Sequence, residues 1–162
     1  MKNKIIILLL FTLLLSGCNF VTPDTNFIKL IIESDTPQKI GTYMWLNFVY
    51  EYQPYGVKTP YQLYLCKKGD CNDFSNFAIY VAHCNGYEAW QIRIKYRDSN
   101  INHWLGVYKE GDYYTYTDNR NYIVNHYDSF LDIVNIHCLV KGKTWEKYEV
   151  YDYENNFIEV GK

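Results

Sequence analysis

The sequence predicts an α+β fold in which N-terminal helices pack on an antiparallel β-sheet. Helix-start signals recur in the first half of the chain, and the apolar period changes from helical to alternating after Gly86. Turn residues then separate a series of short alternating segments. With 162 residues, of which 48% are hydrophobic, the chain has the length for one domain with a sizeable core.

The N-terminal residues are typical of a secretory signal. Lys2 and Lys4 precede an apolar run from Ile5 to Leu15. Eleven helical residues rise about 16 Å, roughly half the thickness of the hydrocarbon layer, so the run is too short to span a bilayer. The following Leu15-Ser16-Gly17-Cys18 resembles the lipobox of bacterial lipoproteins, which implies cleavage before Cys18 and acylation of its amine and sulfur. The alternative is an ordinary signal peptide with a cysteine there by chance.

The lipobox resemblance divides the chain into three parts. We expect residues 1–17 to form the signal peptide, residues 18–34 a lipid-anchored tether, and residues 35–162 the folded domain. Within the tether, Phe27–Ile32 is apolar enough to dock as a short helix or strand. The mature protein would then lie outside the cytoplasm in the bacterial cell envelope, attached to the membrane by its lipid anchor.

Three helices are predicted in the first half of the domain. Thr36-Pro37 and Thr59-Pro60 each combine a capping hydroxyl with a proline in the first turn, and they start helices that reach about Tyr50 and Cys66. Asp70 caps a third helix, which Asn85-Gly86 ends. Its apolar face has helical spacing: Phe74, Phe77, Ala78, Val81 and Ala82.

Alternating apolar and polar residues after Tyr87 predict strands. The first places Trp90, Ile92, Ile94 and Tyr96 on one face. The remaining strands are predicted at 103–109, 112–118, 131–140, 145–151 and 157–160, with a loop around His126.

Cys71 occupies the first turn of the third helix, within Lys68-Gly69-Asp70-Cys71-Asn72-Asp73-Phe74. The unpaired N–H groups and the positive end of the helix dipole at this position favour a thiolate over a thiol, and the same N–H groups can hold an oxyanion. Asp70 and Asp73 oppose ionisation electrostatically. A thiolate nucleophile also needs a proton acceptor.

Of the four histidines, His103 is the best candidate for that acceptor. His83 lies 12 residues along the same helix as Cys71, about 18 Å away along the axis, which is too far. His137 is interpreted as a core or surface imidazole on a strand, and His126 has no supporting signal. A hairpin centred on Glu110-Gly111 would place His103 directly opposite Asp118, where a carboxylate can orient an imidazole.

These residues resemble the transglutaminase-like superfamily. The resemblance rests on Thr59-Pro60, on Lys68 to Ser75, on Asn102-His103-Trp104 and on Asp118, and it covers roughly residues 36–119. It implies a papain-like fold with Cys71 as nucleophile, His103 as base and later acid, and Asp118 as the residue that orients His103. It also implies an acyl-enzyme route on amide bonds of a protein or peptide, with no cofactor. The acceptor decides between hydrolysis and crosslinking, and compact bacterial relatives are more often hydrolytic, so a peptidase or amidase is expected.

Several alternatives remain open. Cys66, Cys71, Cys84 and Cys138 could form disulfides in an oxidising compartment, which would leave Cys71 structural. The same fold could also bind a peptide or glycan without turnover. A metal site is disfavoured because the Cys and His spacings match no common zinc pattern. Nucleic acid is disfavoured because 16 Lys and Arg stand against 18 Asp and Glu.

Overall fold

The structure, a computed structural model, describes residues 23–97 and 99–162; the predicted signal peptide and the predicted lipidation site at Cys18 lie outside them. Within those two ranges no helix is long and apolar enough to cross a membrane. The elements follow in this order: α1 Thr25–Glu33, α2 Pro37–Asn47, β1 Val49–Tyr50, α3 Pro60–Cys66, β2 Lys68–Gly69, α4 Cys71–Cys84, β3 Ala89–Tyr96, β4 Asn102–Glu110, β5 Tyr113–Asp118, β6 Asn121–Tyr127, α5 Phe130–Val140, β7 Trp145–Asp152 and β8 Phe157–Gly161.

The three predicted helices begin where their capping residues stand. The Thr36 hydroxyl accepts from the Lys39 amide at the start of α2. Thr59 and Asp70 each form a capping box at the starts of α3 and α4. Helix α2 ends three residues earlier than predicted because Phe48 is extended (φ −106°, ψ 147°), which lets the following β1 pair in parallel with β2.

Helix α1 forms inside the segment that the sequence assigns to the tether. Asp24 caps it, and Phe27 and Leu30 are buried against the helices that follow. The ring of Phe27 lies 4.9 Å from that of Tyr64 and 5.2 Å from that of Tyr61, centroid to centroid. Residues 25–33 therefore belong to the folded domain, whose described part starts before residue 35.

A six-stranded antiparallel sheet of order β6-β5-β4-β3-β7-β8 separates two cores. The first core contains α1 to α4 and takes Tyr108 from β4. The second contains α5 and takes Leu105 and Val107 from the same strand, because successive side chains of a strand point to opposite faces. The domain thus has helices on both faces of the sheet, which confirms the predicted α+β class.

Two predictions in the second half are wrong. The strand expected at 131–140 is helix α5, since Ser129 caps it and the buried Ile133, Val134, His137 and Cys138 recur once per helical turn. The β-branched residues of this segment favoured a strand, but tertiary packing overrides that weak preference. The loop expected around His126 is strand β6, which follows a tight turn with Asn119 in the left-handed region (φ 53°).

Candidate active site

Cys71 is the first residue of α4, and only 9% of its surface is exposed to solvent. The carboxylate of Asp70 accepts hydrogen bonds from the amides of Asn72 (3.0 Å) and Asp73 (3.3 Å), and the Phe74 amide bonds to the Asp70 carbonyl. Among the first amides of the helix, that of Cys71 has no partner within the described ranges. It is therefore the backbone donor available to an oxyanion formed beside the sulfur.

The negative charge expected to oppose a thiolate at Cys71 is partly compensated. Asp73, which is nearly fully buried, forms an ion pair with Lys58 at 3.0 Å and also accepts from the Lys58 backbone amide at 2.7 Å. The Asp73 Oδ2 that pairs with the Lys58 ammonium also accepts from the Asp70 amide at 3.2 Å. A paired carboxylate repels a neighbouring thiolate less than a free one does.

His103 joins Cys71 to Asp118. Its Nε2 lies 2.8 Å from Oδ1 of Asp118, and its side chain lies close enough to Cys71 for the sulfur to influence the pKa of the imidazole. Burial would lower the pKa of His103, but the hydrogen bonds and charges of Asp118 and Cys71 raise it to about 9. Burial would raise the pKa of Asp118, yet His103 and Lys141 hold it well below its usual range. At neutral pH the site therefore contains an imidazolium beside a carboxylate.

The His103–Asp118 contact arises from a register other than the predicted one. The hairpin turns at Gly111 and Asp112, so Leu105 rather than His103 lies opposite Asp118. Moving the turn centre by one residue shifts the pairing by two, which leaves both side chains on the same face of the sheet. His103 is thus a diagonal neighbour of Asp118, within reach of a long side chain.

Helix α5 adds two groups that the sequence analysis missed. Lys141 Nζ lies 2.7 Å from Oδ2 of Asp118. The His137 ring is nearly parallel to the His103 ring (10°, centroids 5.2 Å apart), and its Nε2 lies 3.1 Å from the Tyr96 hydroxyl. Burial lowers the pKa of His137 to about 4, so this imidazole is neutral at pH 7. His137 and Lys141 are four residues apart, a spacing that places two side chains on one face of a helix but not together on a strand. The sequence pattern predicts a strand here and therefore does not pair them.

The other candidates from the sequence lie elsewhere or are already engaged. His83 stacks on Tyr153 and His126 stacks on Tyr113. All four cysteines of the described chain carry free thiols, so the structure contains no Cys66–Cys71 disulfide.

One cluster has the composition of a small metal site. Ligand atoms of His103, Asp118 and His137 lie within 4.8 Å of one another. Two of them are hydrogen-bonded to each other, and the Lys141 ammonium occupies the second carboxylate oxygen. The cluster is therefore interpreted as a hydrogen-bonded network that repels a further cation.

A cavity of about 510 Å³ opens beside the residues that follow Cys71 and His103 in sequence, namely Asn72 and Trp104. Gln91, Arg93 and Tyr151 are also among its lining residues. The Trp104 and Tyr151 rings are 5.8 Å apart, and Arg93 is paired with Glu149 at 2.7 Å. Aromatic walls with paired charges and side-chain amides suit an uncharged stretch of polypeptide.

No family model matches this sequence, and no curated protein matches it. Solved structures do match. Calcium-bound LapG from Legionella pneumophila is 13% identical at a TM-score of 0.51, over 80% of this chain and 77% of that one. EGTA-treated LapG is 12% identical at a TM-score of 0.51, over 75% and 72%. A further LapG structure is 16% identical at a TM-score of 0.47, and the matched region spans only 62% of its length. The chain therefore shares its α+β fold with LapG.

Proposed function

We propose that this protein is a transglutaminase-like cysteine enzyme that cleaves amide bonds in a protein or peptide through Cys71, His103 and Asp118. One observation carries the proposal: a cysteine at a helix start lies beside an imidazole whose Nε2 is hydrogen-bonded to a buried carboxylate. The three residues come from α4, β4 and β5, so the fold itself assembles the group. The order thiol, imidazole, carboxylate is that of an activated nucleophile.

The geometry supports a two-step acyl transfer. The Cys71 thiolate attacks the amide carbonyl carbon, an S–C bond forms, and the Cys71 amide stabilises the resulting oxyanion. The oxyanion collapses, the C–N bond breaks, and His103 gives its proton to the leaving amine. Water then attacks the thioester carbonyl carbon while His103 accepts its proton, and a C–O bond forms. The C–S bond breaks, which releases the carboxylic acid and restores the thiolate–imidazolium pair.

Water is the proposed acceptor in the second step. A lysine amine in its place would make the protein a crosslinking enzyme, since the nucleophile chemistry is the same. The likeness of the fold to transglutaminase-like cysteine proteases favours hydrolysis. Among the described residues that line the neighbouring cavity there is no carboxylate to recruit a lysine side chain, which also favours water.

The thiol reactivity of Cys71 tests the enzyme proposal. We expect iodoacetamide to alkylate Cys71 faster than the exposed thiols of Cys66 and Cys84 at about pH 6, where a free thiol of pKa about 8.5 is almost fully protonated. The reason is that His103 keeps its proton up to about pH 9 and so stabilises a thiolate. Peptide mapping by mass spectrometry resolves the three rates within one sample.

Cys66 and Cys84 serve as internal controls because they are more accessible than Cys71. The variant Cys71→Ser should lose the fast phase and leave the other two rates unchanged. A Cys71 rate no higher than that of Cys66 after mild reduction would contradict the enzyme reading and favour a silent peptide- or glycan-binding module.

We also propose that the enzyme acts outside the cytoplasm, anchored by acylated Cys18. The support is the Leu15-Ser16-Gly17-Cys18 sequence after a short apolar run. The variant Cys18→Ser should move the protein from the membrane fraction to the soluble fraction of a bacterial host, as measured by immunoblotting after ultracentrifugation. Continued recovery of that variant with membranes would count against acylation.

A further inference from the structure

Helix α5 brings two side chains, one helical turn apart, to the His103–Asp118 pair. His137 and Lys141 both point from α5 toward the sheet face that carries these two residues. Neither touches Cys71 in the described contacts, so neither is part of the nucleophile itself. Their contacts instead fix the position of the imidazole and the carboxylate.

Lys141 determines which oxygen of Asp118 faces His103. Its ammonium holds Oδ2 at 2.7 Å, while Oδ1 accepts from His103 at 2.8 Å and from the Asn119 side-chain amide at 3.1 Å. Both carboxylate oxygens are therefore engaged, and the carboxylate cannot rotate without breaking a charged contact. Asp118 is only 7% exposed at its side chain, so water does not readily replace Lys141.

His137 covers the His103 ring on the side of α5. Its ring is parallel to that of His103, and the Tyr96 hydroxyl holds it in place. Tyr96 also stacks on His103 at 6.4 Å with an angle of 18°. Two aromatic rings thus lie along the imidazole, where they limit its rotation and exclude water from its bond to Asp118.

We propose that Lys141 and His137 are positioning residues of the site, Lys141 by clamping the Asp118 carboxylate and His137 by covering the His103 ring. The proposal rests on the proposed function, since it assigns them to the same acyl transfer. Among the described residues, the titratable groups around the His103–Asp118 pair come from four elements: Cys71 from α4, Tyr96 from β3, Tyr116 from β5, and Cys138 with His137 and Lys141 from the region of α5.

A simpler structural role for Lys141 makes a different prediction. Lys141 follows the last turn of α5, where any cation interacts favourably with the helix dipole. In that case its replacement would change the stability of α5 but not the titration of Asp118. The titration therefore separates the two roles.

The first experiment measures the titration of the Asp118 carboxyl by carbon NMR in three variants. Lys141→Met should raise the pKa of Asp118 by about one unit, because a charged partner within 4 Å is removed. Lys141→Arg keeps the charge and should restore the wild-type titration. Lys143→Met removes a nearby exposed lysine and should change nothing. An unchanged Asp118 titration in Lys141→Met would overturn the clamp.

The second experiment measures exchange with solvent of the His103 Nε2 proton. His137→Ala should speed this exchange about tenfold, because water gains access to the His103–Asp118 bond. His137→Phe keeps a covering ring and should exchange nearly as slowly as the wild type, which also keeps the test valid should the alanine variant fold poorly. Equal exchange in the wild type and a folded His137→Ala variant would contradict the covering role.

Both readouts are independent of turnover. If Cys71 of the wild type is not alkylated rapidly, the proposed function is wrong. The Asp118 titration and the His103 proton exchange would still show whether Lys141 and His137 act on this pair. If Cys71 is reactive but the Lys141 and His137 variants change neither the titration nor the exchange, this inference alone is wrong.

Discussion

Replacing Asp118 with asparagine should lower the pKa of His103 from about 9 toward its ordinary 6.5 and slow the alkylation of Cys71 at about pH 7.5 by about tenfold, because an imidazole of pKa 6.5 is roughly 90% neutral there. The carboxylate both accepts the His103 hydrogen bond and supplies the charge that stabilises the imidazolium. A neutral imidazole no longer stabilises a negative charge on the neighbouring Cys71 sulfur. For amide turnover we expect a loss of about 10²–10⁴-fold, since the leaving amine then lacks its proton donor.

Lys141 makes asparagine a poorer substitute here than its shape suggests. An asparagine at position 118 would turn its amide oxygen toward the Lys141 ammonium, which now contacts Oδ2. The amide nitrogen would then face His103 Nε2 and disfavour the protonated ring. The double variant Asp118→Asn with Lys141→Met should therefore recover part of the lost reactivity, because the amide is free to rotate.

The Asp118→Asn measurement combines the NMR titration of His103 with the alkylation rate of Cys71. Asp128→Asn, at an exposed carboxylate, is the matched control and should leave both unchanged. In the wild type, turnover should also fall above about pH 9 as His103 loses its proton, whereas alkylation should persist because it needs only the thiolate. If the pKa of His103 stays near 9 in Asp118→Asn, Asp118 is not the residue that stabilises the His103 imidazolium.

The positions of the three residues of the proposed triad could be predicted from local signals. Asp70 specifies a helix start, which fixes where Cys71 stands, and the hairpin between β4 and β5 fixes the faces of His103 and Asp118. His103 and Asp118 are in contact although the predicted register was wrong, because a register error of two residues leaves each side chain on the same face of the sheet. An error of one residue would have placed the two side chains on opposite faces.

The remaining parts of the site depend on contacts that no local pattern encodes. The residues of α5 are rich in isoleucine and valine, and packing of Ile133, Val134 and Cys138 against the sheet outweighs their preference for a strand once Ser129 has capped the helix. Because the segment was predicted to be a strand, His137 was interpreted as an isolated imidazole and Lys141 was not considered. Both contacts cross from a helix to a strand, so they follow from the tertiary fold and not from sequence spacing.

The same distinction between local pattern and packing explains the assignment of residues 25–33 to a tether. Helix α1 has turn-forming residues before it, yet it contributes Phe27 to the core between α3 and α4. The Phe27 ring contacts four aromatic rings, all with centroids within 6.4 Å, those of Tyr61, Tyr64, Phe77 and Tyr80. These contacts make α1 a structural part of the domain.

We therefore expect Phe27→Ala to lower the free energy of unfolding by about 3–5 kcal/mol, because it removes a fully buried ring and leaves a cavity among those aromatic residues. Ile28→Ala, at the next position but half exposed, is the matched control and should cost less than about 1 kcal/mol. Urea unfolding followed by tryptophan fluorescence measures both. Equal, small losses would mean that α1 detaches readily in solution and that the tether extends through it to the start of α2, as the sequence alone suggested.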